Sequence, residues 1–66
     1  MTDLRMQYTM EDIKRFQWIE QAARIYLQKV GDLPYVFALD LAEAIYDTYS
    51  DWNPADAVEE DLSYWN

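Results

Sequence analysis

With 66 residues, no cysteine, no histidine and a net charge of −8, the chain has room for one domain and lacks the disulfides and usual zinc ligands that staple miniature domains. The same inventory excludes histidine and cysteine catalysis. With Gly31 the only glycine, it also leaves no phosphate loop, dinucleotide fingerprint or HExxH motif to build.

Met1 to Tyr8 has neither a period nor a turn signal and is expected to be a flexible or loosely packed lead-in to a single domain spanning 1–66. Its charges stand where a secretion signal needs an apolar run, and no stretch reaches the roughly 18 apolar residues of a membrane span. A cytoplasmic protein without membrane contact is the resulting expectation. From Thr9 the signals sharpen: a hydroxyl at a plausible N-cap is followed by Glu11 and Asp12, acids that the helix dipole favours in a first turn. The spacing predicts a helix from about residue 10 to Val30, closed by Gly31 with Lys29 in the last turn.

At about 100° per residue, Phe16, Ile19, Ala23, Tyr26, Leu27 and Val30 share one side of that helix, and Lys14, Gln17, Gln21, Arg24 and Gln28 the other. Trp18 and Ile25 lie on a shoulder away from the apolar arc. Either a neighbouring helix covers them, or they form a self-association or partner surface, as in a homodimer. Asp32-Leu33-Pro34 reads as a second start, with Asp32 as cap and Pro34 in the first turn. That helix is expected to run to about Tyr49, with Phe37, Leu41, Ala44, Ile45 and Thr48 or Tyr49 as its core face. Asn53-Pro54 repeats the cap-then-proline signature for a third helix to about residue 62, whose apolar stripe is Ala55, Val58, Leu62 and Trp65. The fold class expected is all-α, a small three-helix bundle. The apolar fraction of 52%, rich in aromatic rings, supplies its core and argues against intrinsic disorder.

The sign of charge is segregated along the chain. Arg5, Lys14, Arg15, Arg24 and Lys29 all precede Pro34 and are balanced by Asp3, Glu11, Asp12, Glu20 and Asp32. From Pro34 onward there is no Lys or Arg, and Asp40, Glu43, Asp47, Asp51, Asp56, Glu59, Glu60 and Asp61 carry the whole net charge. On a second helix Asp40, Glu43 and Asp47 fall within about 60° of one another, and Asp51 continues the line. At about 1.5 Å rise per residue these four acids span about 16 Å, a linear density comparable with that of phosphates along one DNA strand, about 3.4 Å apart.

Such a stripe can simply keep an apolar little protein soluble. Solubility, however, needs no segregation of sign, whereas a basic partner explains it. Direct binding of nucleic acid is not expected, because the surface repels phosphate. The acids could pair as in a glycosidase or hold calcium, with Asp56, Glu59, Glu60 and Asp61 the densest cluster. A bundle this small has little room for a cleft, and the cluster lacks the glycine of an EF-hand loop. Neither an enzyme, a cofactor nor a dedicated metal site is expected. Rings beside acids, as in Tyr46, Tyr49, Trp52, Tyr64 and Trp65, suit a protein partner: rings anchor while carboxylates pair with Arg and Lys around them.

In length, composition and the stripe of Asp40, Glu43, Asp47 and Asp51, the chain resembles the small acidic inhibitors made by phages and mobile elements, including anti-CRISPR and DNA-mimic proteins. The resemblance implies a protein of the infected cell's cytoplasm that occupies the basic nucleic-acid site of a protein or ribonucleoprotein. Under it, Asp40, Glu43, Asp47 and Asp51 are the first candidates for partner contact, and Asp56, Glu59, Glu60 and Asp61 the second. Two other readings stand beside it: an antitoxin or immunity-type protein that neutralises a basic nuclease, and a structural module such as a helical dimer that uses Trp18, Ile25 and the exposed rings.

Overall fold

Local chemistry sets the helix ends. Thr9 adopts an extended backbone and its Oγ1 accepts from the Asp12 N–H at 3.2 Å, while the Asp12 carboxylate accepts from the Thr9 N–H at 3.2 Å. This reciprocal box satisfies two of the donors that every helix start leaves open. Gly31 closes the same helix at φ 93°, a conformation costly to any residue with a Cβ, and its N–H donates to the Leu27 carbonyl. At the third helix Asn53 Oδ1 accepts from the Ala55 N–H at 2.8 Å, with Pro54 in the first turn. The computed structural model describes residues 8–65. It holds α1 (Met10–Val30), α2 (Tyr35–Tyr49) and α3 (Pro54–Leu62) as a three-helix bundle, with no strand among the described residues. Apart from Tyr8, the expected lead-in lies outside those residues.

The start of α2 corrects the sequence reading. Asp32 does not cap it; Pro34 is the N-cap residue, extended at ψ 144°, and no side chain bonds the first turn. A cap at Asp32 would have required helical backbone at Leu33, which the Cδ of the following proline disfavours. The helix therefore begins only after the ring, and the Ala38 N–H donates to the Pro34 carbonyl.

The core is made largely of alanine. Ala22 and Ala23 of α1, Ala38 and Ala42 of α2 and Ala57 of α3 are fully buried, joined by Ile19, Tyr26, Ile45 and Val58. Of these, only Tyr26 and Val58 are large side chains buried completely. Small residues let helix backbones approach closely but remove little apolar area from water. Half-buried aliphatic and aromatic side chains, Leu27, Leu33, Leu39, Leu41, Tyr46, Tyr49 and Leu62, pack against this core. α1 touches both other helices and meets α2 most extensively.

The core faces of all three helices differ in part from expectation. Phe16 is half-exposed, and on α2 Phe37, Ala44 and Thr48 face solvent while Ala38, Ala42 and Ile45 face inward. On α3 the buried pair is Ala57 and Val58; Ala55 and Leu62 are half-buried and Trp65 is exposed on one side. α2 is apolar around much of its circumference, so apolar spacing alone does not fix which arc turns inward. The acids do. Asp40, Glu43 and Asp47 centre almost opposite the Ala38, Ala42 and Ile45 face at about 100° per residue, so hydrating the carboxylates and burying the alanines are one rotation.

Candidate protein-binding surface

α2 presents the first group of acids as the sequence suggests. Asp40, Glu43 and Asp47 are exposed along one side of the helix, and Asp51 is exposed in the turn beyond it. Glu43 is partly engaged: its Oε2 lies 3.7 Å from the Arg15 guanidinium, which also sits over the Tyr46 ring at 5.3 Å. Both partners are well exposed, so the pair contributes little. Asp40, Asp47, Asp51 and Asp56 have no ion-pair partner among the described residues.

The second group is divided by the fold. Glu59 pairs with Lys29 at 3.4 Å, and Glu60 accepts from the Tyr64 hydroxyl at 3.2 Å. Asp61 belongs to the packing of α3 on α1. Its Oδ2 accepts from the fully buried Tyr26 hydroxyl at 2.6 Å and from Trp65 Nε1–H at 3.2 Å, while the Trp65 ring stacks on Tyr26. Burial, then the hydrogen bond to Asp61, push the Tyr26 phenol far above its ordinary range. The exposed Tyr64 phenol is raised chiefly by its bond to Glu60. Of this group only Asp56, in the first turn of α3, is both exposed and without a partner among the described residues.

Trp18 and Ile25 are half-buried and pack against the core. Trp18 Nε1–H donates to the Trp52 carbonyl at 2.8 Å, its ring meets Tyr46 edge to face at 5.3 Å, and Trp52 in turn meets Tyr49. Trp18 is thus covered by α2 and the turn that follows it.

Beside the exposed rings of Trp52, Tyr64 and Trp65, a further apolar surface is free at the helix starts. Tyr8, Met10, Ile13 and Phe16 at the start of α1, and Tyr35, Val36 and Phe37 at the start of α2, are each 40% exposed or more. Two adjoining hollows run through this region and share Phe16 and Glu20. One is lined by Ile13, Gln17 and Tyr35, the other by Ile19, Leu39, Asp40 and Glu43. The available signal was the apolar run Tyr35, Val36, Phe37 and Leu39, more than one buried face can absorb.

Among the described residues no three acids converge closely enough to hold a metal ion, and no helix is long and apolar enough to cross a membrane. No protein-family model, curated protein or solved structure matches this chain.

Proposed function

We propose that the protein is an acidic inhibitor that binds the positively charged nucleic-acid-binding surface of a partner protein or ribonucleoprotein, in the manner of a DNA mimic or anti-CRISPR protein. One observation carries this reading: Asp40 and Asp47 lie exposed on one side of α2 and Asp51 is exposed in the turn just beyond it, in a half of the chain without a single Lys or Arg. Carboxylates so arranged repel one another and do not favour folding; a basic surface reverses the sign of that energy and is drawn to the stripe over a Debye length of about 8–10 Å. Glu43 joins the stripe by exchanging Arg15 for a partner cation. Asp56 extends it, whereas Glu60 and Asp61 are committed within the chain.

The test is capture from a lysate of the native host at low and at high salt, with wild type and with the Asp40→Lys/Asp47→Lys/Asp51→Lys variant. The reading expects a basic protein or ribonucleoprotein that is released by salt, competes with nucleic acid and is lost in the variant. A variant that holds the same partner normally leaves the acids with solvation alone. Capture of a single basic nuclease encoded beside this chain selects the antitoxin reading instead.

A further inference from the structure

We propose that the groove between α1 and α2, floored by Phe16, Ile19 and Leu39 and rimmed by Glu20, Asp40 and Glu43, receives a cationic amphipathic helix of the partner protein. The groove adjoins the stripe through Asp40 and Glu43. The inference rests on the basic-partner reading above only for the sign of the partner's charge.

The floor is apolar and uncovered, since Phe16 is 49% exposed and Ile13 and Tyr35 continue it at one end. The hollow at its centre holds about 380 Å³, at the small end of the roughly 300–1,000 Å³ typical of ligand pockets, and is an open trough. It therefore suits side chains projecting from a helix better than an enclosed small molecule.

Charge selects among the occupants of such a trough. Glu20, Asp40 and Glu43 surround the floor; Glu20 is shared with Arg24 at 3.4 Å and Glu43 with Arg15 at 3.7 Å, which leaves Asp40 as the rim acid with no ion-pair partner among the described residues and the rim net negative. Lys14 points away, about 160° round α1 from Phe16. An anionic lipid surface or a nucleic acid would set phosphate against this rim, and a second copy of the chain would bring no more free cation to Asp40 than the rim already has in Arg15 and Arg24. Lysine and arginine fit, because their methylene stems can lie along Phe16 and Leu39 while their heads reach the rim. A helix with leucine-like residues on one face and Lys or Arg flanking them satisfies floor and rim together.

The probe is a fluorescein-labelled amphipathic peptide of leucine and lysine, about five helical turns long. It is titrated against the whole protein beside a leucine and glutamate counterpart and a scrambled leucine and lysine peptide. Saturable binding of the first, with backbone amide shifts centred on Phe16, Ile19 and Leu39, is expected. Phe16→Ser should weaken it by about tenfold or more, as loss of a central aromatic anchor does. Glu20→Gln/Asp40→Asn should weaken it at low salt while retaining the helical spectrum, and decides the matter should Phe16→Ser unfold. Asp47→Asn/Asp51→Asn, on the stripe but outside the groove, should weaken binding less than either groove variant does.

No binding of the leucine and lysine peptide overturns the proposal, as does equal binding of the scrambled one. Loss of binding in Asp47→Asn/Asp51→Asn with none in the groove variants overturns it too, while leaving the stripe as a cation-binding surface. A solution dimer that Phe16→Ser dissociates assigns the groove to a second copy and overturns it as well.

Discussion

Removing the Asp61 carboxylate should damage folding rather than the protein's surface. Asp61→Ala leaves the Tyr26 hydroxyl, fully buried, without the acceptor it now holds at 2.6 Å. A hydrogen bond to a charged group contributes about 1.5–3 kcal/mol, and a buried hydroxyl left unpaired costs about 1–3 kcal/mol. These overlap, so about 2–4 kcal/mol is expected. Against a total of about 3–10 kcal/mol for a domain of this size, and about 4–8 °C per kcal/mol, Tm should fall by about 10–30 °C. Tyr26→Phe should cost less, about 0.5–1.5 kcal/mol, because half-buried Asp61 still accepts from Trp65 and from water. Urea and thermal unfolding followed by circular dichroism measure both variants and their double mutant. The reasoning is refuted if Asp61→Ala unfolds within about 0.5 kcal/mol of wild type, or if Tyr26→Phe proves the more damaging change.

The raised Tyr26 phenol predicts alkaline instability with a definite sign. Its contribution is complete below about pH 10 and declines above it, because the unfolded chain then releases a proton that the fold retains, at up to about 1.4 kcal/mol per pH unit. Urea midpoints on either side of pH 10 should show a steeper loss in wild type than in Tyr26→Phe. Ala42→Leu should overfill the fully buried seam between helices and cost about 1–3 kcal/mol, whereas Ala44→Leu, exposed two residues on, should stay within about 0.5 kcal/mol in a thermal melt. Trp18→Glu should abolish most helical signal, since it removes the bond to the Trp52 carbonyl and sets a carboxylate against Tyr46; a folded, helical variant would contradict this placement.

How much of this was legible follows the range of the interactions involved. The ends of α1 and α3 depend on residues within four positions of one another, Thr9 with Asp12, Gly31 with Leu27 and Asn53 with Ala55, and the sequence displays them. Apolar bulk, in which Phe37 and Leu41 outweigh Ala38 and Ala42, points to a different rotation of α2 from the one observed. Taking the face opposite Asp40, Glu43 and Asp47 would have found it. The exposed stripe itself was legible for the same reason. The role of Asp61 was not, since its partner lies 35 residues away on another helix, and only the placement of α3 on α1 brings them together. Trp18 and Trp52, 34 residues apart, were hidden likewise.

The alanine seam carries a thermal consequence. Heat capacity change on unfolding scales with the apolar area newly wetted, and five of the side chains that this fold hides completely are single methyl groups. A chain of this length would ordinarily show about 0.8–1.0 kcal/mol/K; this one should fall below that, giving a shallow stability curve and a broad melt in calorimetry. Its half-covered rings, Phe16 and Phe37 among them, are apolar area that folding leaves wet. Whatever covers the groove should therefore bind with a distinctly negative heat capacity change, and the curvature that the free chain lacks should appear in the complex.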